Sequence, residues 1–297
     1  MSENEILDKA HLEVKDKATG EWQSAGPVHL AQSHAELPVR RQLPKAVKNC
    51  LAPNCNSKED RRSYYLYRHS QDKANNTNLL ILLHGAGDTH LPFDKMGQTM
   101  KLPQTATLAI SSLRFHTLPL GLGHTWFQEM DYATGETLPA DHPVRRSSID
   151  AAVSRFAELL NLLLDHHWMV AERIFFIGYG AGACLIMEFC QSWSQNARLP
   201  FGGGICVGGG NSGGPSKGFK SLGTPILLVC GEHDETFTAI MAHQAKDGYE
   251  QACGNGLVEI HTQPNKKTGM ISSENEMRAV MAFLAPRLVR ISQMGAK

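Results

Sequence analysis

Apolar positions along this chain fall into short continuous runs separated by glycine turns and by one long stretch of helical spacing. Asn78-Leu79-Leu80-Ile81-Leu82-Leu83, Arg173-Ile174-Phe175-Phe176-Ile177 and Pro225-Ile226-Leu227-Leu228-Val229-Cys230 are nearly unbroken. Runs of that length without alternation suit central parallel strands buried on both faces. Tyr64–Arg68, Thr107–Ser111, Gly202–Gly208 and Leu257–His261 predict further strands. Between Ser148 and Leu164 the apolar residues Ile149, Ala152, Val153, Phe156, Leu159, Leu160 and Leu163 recur at the helical period. Ser147-Ser148-Ile149-Asp150 offers capping chemistry ahead of them. A last helix is predicted over Met277–Val289.

Strands alternating with helices predict an α/β fold with a mostly parallel central sheet and helices on both faces. Functional groups in such a sheet gather beyond the carboxyl ends of its strands. Glycine turns mark those ends at 84–88, 178–182 and 231–234. Residues 1–60 are polar, mixed in charge and interrupted by Pro27, Pro38, Pro44 and Pro53. They are expected to form an extension, partly disordered or draped on a domain spanning 61–297.

Composition narrows the function classes. The chain has 297 residues, 42% apolar and 20% charged, with zero formal net charge. This suits a globular protein with a sizeable core and gives no electrostatic footprint for nucleic acid. No run reaches the roughly 18 apolar residues of a membrane span. The opening Met1-Ser2-Glu3-Asn4-Glu5 carries no apolar signal region, and Met294-Gly295-Ala296-Lys297 matches no lipidation or retention signal. Seven cysteines without regular spacing fit a reducing cytoplasm better than a disulfide framework. Cys50 and Cys55 are too few for a structural zinc site. His166-His167 diverge on a helix, and no H-x₃-H or H-E-x-x-H pattern occurs. The Gly208–Gly214 loop lacks a P-loop ending. No metal or cofactor is expected.

The chemistry centres on Gly178-Tyr179-Gly180-Ala181-Gly182, set between a strand and the helical run from Ala183. Strand, sharp turn and helix make the setting of a nucleophile elbow, G-x-S-x-G, with glycine at the serine position. Hydrolases of this kind order nucleophile, acid and base along the chain. Cys230-Gly231-Glu232-His233-Asp234 follows a later strand, and Thr268-Gly269-Met270-Ile271-Ser272-Ser273 follows the last one.

With Leu83-His84-Gly85-Ala86-Gly87-Asp88, Trp126-Phe127 and Glu276-Met277 in the same order, the chain resembles the phospholipase/carboxylesterase family of α/β-hydrolases, acyl-protein thioesterases included. The resemblance covers roughly residues 64–290. It implies serine at 180, aspartate at 234 and histidine at 271; this chain has Gly180, Asp234 and Ile271. It also implies backbone oxyanion donors at Ala86 and Ala181, which any residue but proline can supply. His84 in that family is more often structural than catalytic, and Trp126 and Phe127 suit either the pocket mouth or the core.

Glycine cannot attack a carbonyl, and isoleucine cannot carry a proton. Losing a triad nucleophile or base typically costs about 10⁶ in turnover, and losing both costs little more. The expectation is an inactive pseudo-esterase that binds a protein partner or a small acyl-type ligand. Two alternatives stay open: a small-molecule receptor, and a hydrolase using Cys184, His233 or His261 in place of the missing groups.

Overall fold

The computed structural model describes residues 13–15, 22–24, 42–53, 55, 57–72, 76–165, 168–196, 198–210 and 223–290. His166-His167 and the 211–214 part of the glycine-rich loop lie outside the described residues. By internal contacts the chain divides into two units, Met1–Leu37 and Pro38–Lys297. In the first, β1 (Glu13–Lys15) pairs antiparallel with β2 (Trp22–Ser24).

The second unit begins with α1 (Lys45–Leu51) and α2 (Lys58–Arg62). Val47 and Leu51, one turn apart on α1, and Leu43 just before the helix are buried in the core. The elements that follow are β3 (Tyr65–Arg68), β4 (Asn78–Leu83), α3 (His90–Thr99), β5 (Thr105–Ile110), β6 (His116–Thr117) and β7 (His124–Thr125). After them come α4 (Pro143–Asp165), β8 (Ile174–Tyr179), α5 (Ala181–Gln195), β9 (Gly203–Val207), β10 (Ile226–Gly231), α6 (Ala239–Cys253), β11 (Val258–Gln263) and α7 (Glu274–Leu284).

Seven strands form one sheet in the order β11-β10-β9-β8-β4-β5-β3. Every neighbouring pair is parallel except β3 with β5. The unbroken apolar runs have a physical reason, since alternate side chains serve opposite faces. Leu79, Ile81 and Leu83 of β4 join one core layer with Ile174 and Phe176 of β8. Leu80 and Leu82 join the other with Phe175 and Ile177. The first layer is closed by residues of α1, α4, α5 and α6, and the second by Phe93 of α3 and by Val280, Phe283 and Leu284 of α7. The sheet is thus covered on both faces, as the sequence predicts.

Two helices differ in extent from expectation. Helix α4 starts at Pro143, not after the serines; proline suits the first helical position, where no N–H is needed. Ser148 sits inside the helix and accepts a hydrogen bond from Gln128 N at 3.0 Å. The last helix runs over Glu274–Leu284 and begins at a capping box between Ser273 and Glu276.

Candidate functional site

Strand β8 ends at Tyr179 and α5 begins at Ala181, so the turn between them rests on Gly180 alone. Gly180 has φ 50° and ψ −116°. Such a backbone is strained for any residue with a Cβ. Its N–H donates to Val207 O at 3.0 Å. The flanking glycines are required by close approach. A Cβ at Gly178 would lie 2.6 Å from the carbonyl carbon and oxygen of Gly182. One at Gly182 would lie 2.6 Å from the carbonyl oxygens of Leu83 and His84. At Gly180 itself a Cβ would meet only Gly85 Cα, at 4.0 Å. The elbow is tight on both sides and open at its tip.

The turn after β4 passes beside that tip. Ala86 is exposed on it, while Ala181 is buried at the first position of α5. Among the described residues, neither N–H has a backbone acceptor. The helix start adds the positive end of its dipole. His84 anchors the turn from below. Its Nε2 accepts from Ser112 N at 3.0 Å, so Nδ1 carries the proton and donates to Gly85 O at 2.7 Å. Burial pushes its pKa below the ordinary histidine value, which leaves a neutral imidazole in a fixed tautomer. Trp126 Nε1 donates to His84 O at 2.7 Å. Trp126 and Phe127 are 1% and 0% exposed, so the structure places both in the core.

Asp234 follows β10 and is 4% exposed. Its Oδ1 accepts from Thr268 Oγ1 at 2.7 Å, Thr236 Oγ1 at 2.8 Å, Thr236 N at 2.9 Å and Phe237 N at 3.0 Å. Burial alone would raise the carboxyl's pKa; the bonds from Thr268, Phe237 and Thr236 outweigh it and hold the value below the ordinary one. Thr268 belongs to the same loop as Ile271, so a hydroxyl of that loop, and not an imidazole, donates to the aspartate. Neither threonine carries a signal in the sequence, because their roles depend on how the loop closes.

Ile271 is partly buried and packs with Met270 against the second core layer. The loop bearing it is pinned from inside. Glu276, fully buried, accepts at Oε2 from Ser272 N at 3.0 Å, Ser273 N at 2.9 Å and Ser273 Oγ at 3.0 Å. It also pairs with Lys266, whose Nζ donates to Met270 O at 2.9 Å. Burial opposes ionisation of Glu276, but the bonds from Lys266 and the two serines prevail and depress its pKa.

Tyr179 is a site residue that sequence reasoning gave no role. Its ring is wedged between the turn after β4 and the end of β9. A Cβ at Gly85 would lie 2.8 Å from Tyr179 Cδ1, and one at Gly208 would lie 3.2 Å from Tyr179 Cε2. Burial first, then the charges of Asp234 and Asp88, push the phenol's pKa up. The phenol stays neutral beside the elbow.

The candidate replacements fare poorly. Cys184 is 9% exposed, and burial pushes its thiol up to about 12. His233 is exposed and its N–H donates to Lys266 O at 2.8 Å. His261 lies within β11, opposite Val229, with Nε2 3.4 Å from Gln263 Oε1. All seven cysteines are free thiols. Among the described residues no group of three His, Cys, Asp or Glu side chains converges as metal ligands, and no helix is long and apolar enough to cross a membrane.

Comparison with known proteins agrees with this architecture. A family model described as phospholipase/carboxylesterase matches residues 68–287. An uncharacterised hydrolase of Mycosarcoma maydis is 31% identical over 155 residues, covering 52% of this chain and 56% of the relative. An uncharacterised hydrolase of Schizosaccharomyces pombe is 28% identical over 138 residues, covering 45% and 53%. The chain spans about half the length of these curated relatives. Among solved structures, Zea mays acyl-protein thioesterase 2 superposes with a TM-score of 0.58 at 17% identity, covering 76% of this chain and 99% of that one. Esterase PE8 gives 0.59 at 20% identity, covering 75% and 97%. At those identities the structures establish the α/β-hydrolase fold, and the family match over most of the sequence goes further: the chain belongs to the phospholipase/carboxylesterase family of hydrolases.

Proposed function

We propose that this chain is a catalytically inactive member of its family, a pseudo-esterase acting as a binding, scaffold or regulatory protein. The observation that carries the reading is an elbow built to present a nucleophile, with φ 50° and ψ −116°, whose residue 180 has no side chain. Positions 180, 234 and 271 are taken as the family's triad positions. On that assignment the acid survives alone, and Thr268 supplies the hydrogen bond that a histidine would make. The free thiols suit a reducing, cytoplasmic setting.

The direct test is labelling of the purified chain with a fluorophosphonate serine-hydrolase probe, alongside turnover of short acyl esters. No labelling and no turnover above the buffer rate are expected. Labelling at the level of an active esterase would overturn the reading. A working hydrolase built on Cys184 is disfavoured by a thiol that stays protonated at neutral pH.

A second reading has its own support. The tip of the elbow is open to 4.0 Å, and the Ala86 and Ala181 N–H groups lack backbone acceptors among the described residues. These features suit a receptor that holds the carbonyl of a small acyl-type ligand on the oxyanion donors without cleaving it. A melting-temperature screen against acyl esters and lactones separates the two. A saturable rise with one ligand class selects the receptor; a flat screen leaves a protein partner as the occupant of this fold.

A further inference from the structure

The outer edge of the sheet carries a feature that the elbow does not explain. A cleft of about 380 Å³ lies along the edge strand β3, between that strand, α1 and α2. Lys48, Lys58, Arg61, Arg62 and Arg68 line it, and no Asp or Glu does among the described residues. Arg68 is already neutralised by Asp94 through Nε at 3.1 Å and Nη2 at 3.0 Å. The other four cations have no ion-pair partner among the described residues. The chain as a whole is neutral, so this concentration of charge is local rather than compositional.

One of the four is held in place. Arg61 Nη1 donates to Cys55 O at 3.1 Å, which fixes the guanidinium at the base of α2. Its charge reaches the Tyr65 phenol, whose pKa is nonetheless raised because burial outweighs it. Lys58 and Arg62 are exposed on the same short helix, and Lys48 reaches in from α1. Glu59 and Asp60 stand on α2 beside these cations but do not line the cleft, so the like charges that face it are best relieved by an anion seated among them. A lone carboxylate would neutralise one. A phosphate monoester brings up to two charges and three acceptor oxygens, and guanidinium groups grip it bidentately. The volume falls at the lower end of small-ligand sites.

We propose that this cleft is a binding site for a phosphate-bearing ligand, a phosphorylated small molecule or the phosphorylated head group of a lipid. It is separate from the elbow. Strands β5 and β4 stand between β3 and β8, which places the two roughly 14 Å apart across the sheet. The site needs no catalysis, and its existence is independent of whether residue 180 was ever a nucleophile.

The test titrates the full chain with inorganic phosphate and with pyrophosphate, followed by calorimetry and by melting temperature. Saturable binding is expected, tighter for pyrophosphate and weakened by salt. Lys58→Gln/Arg62→Gln, both at exposed positions, should weaken it by about tenfold or more, with the fold intact by circular dichroism. Lys58→Arg/Arg62→Lys should retain it, and Arg278→Gln, exposed on α7, should leave it unchanged. Co-sedimentation with phosphatidylcholine vesicles containing phosphatidylinositol bisphosphate distinguishes the sources. Vesicle binding that pyrophosphate competes away assigns the head group, and pyrophosphate binding without vesicle binding assigns a soluble ligand. If neither pyrophosphate nor the vesicles bind in the millimolar range, or if binding survives undiminished in Lys58→Gln/Arg62→Gln, the proposal is wrong.

Discussion

The elbow and the loop bearing Ile271 stand on opposite terms with catalysis, although the proposed reading removes one triad member from each. At the elbow a side chain is absent and nothing has moved in: a Cβ at 180 would meet only Gly85 Cα, at 4.0 Å. At the loop the change is filled. Ile271 packs against the second core layer, Thr268 bonds Asp234, and Glu276 with Lys266 fixes the segment between them. The elbow's shape is dictated by its neighbours, because only glycine fits at 178 and 182 whatever stands at 180. The loop's shape is dictated by its own polar network. Chemistry at 180 can therefore be absent without cost to the fold, whereas the loop is committed to its present contacts.

The largest effect is expected where that contrast is sharpest. Gly178→Ala forces a methyl group to 2.6 Å from the Gly182 carbonyl. Backbone has to shift, and we expect a loss of about 3 kcal/mol or more in urea unfolding. A variant as stable as the parent would show that the flanking glycines do not set the elbow. Glu276→Gln comes next. It leaves Lys266, 11% exposed at its side chain, without its counter-charge and turns an acceptor of three hydrogen bonds into a mixed donor and acceptor. Breaking a buried pair from one side costs about 3 kcal/mol, here read as a lower midpoint in denaturant.

The same carboxylates set a pH dependence. Asp234 and Glu276 both have pKa values below their ordinary ones in the folded chain. Their contribution is fully present above the unfolded values near pH 4 and is lost as pH falls through the lower folded values. The melting temperature should drop on acidification below about pH 4, and the drop should be shallower in Glu276→Gln. Thr268→Val is a smaller change. It deletes the 2.7 Å bond to a carboxylate that is 4% exposed. A loss of about 2 kcal/mol is expected, with the Asp234 pKa rising toward its ordinary value in a carbon-detected titration. An unshifted pKa would mean that Thr236 and Phe237 alone satisfy the aspartate.

The parts of this molecule that were legible in the sequence are those where one physical demand dominates. β4, β8 and β10 show as unbroken apolar runs because both their faces are buried. The elbow shows because three glycines answer three backbone constraints. Helix α3 does not show, since Pro92 and Gly97 interrupt its pattern; α6 does not, since Ala242, Ala245 and Ala252 form much of its buried face and carry little hydrophobic signal. α1 was hidden among prolines, with two buried residues, Val47 and Leu51, in a polar stretch. At the site, Asp234 follows from its order after β10, whereas Thr268, Thr236 and Tyr179 gain their roles only from contacts across loops. The β3 cleft draws cations from two helices and a strand and has no linear motif.

The smallest effect is expected from the substitution that looks most consequential. On the proposed reading Gly180→Ser returns a nucleophile to its frame, and a Cβ there would meet only Gly85 Cα, at 4.0 Å. A serine at φ 50° carries strain of roughly 1–3 kcal/mol, and glycine's greater freedom in the unfolded chain returns about 0.4–1 kcal/mol of it. The net loss should be about 1 kcal/mol. Activity should stay at background, because of the two other triad positions Ile271 cannot take a proton, and Asp234 already accepts four hydrogen bonds at one oxygen. Adding Ile271→His separates the two regions. If the double variant labels with fluorophosphonate and the single one does not, the loop kept enough of its geometry to orient a base. If neither labels, the Thr268 bond to Asp234 has closed the position the imidazole would need, and Thr268→Gly on that background should open it. Labelling of Gly180→Ser alone at full esterase level would break the comparison, since some other residue near the elbow would then be serving as base.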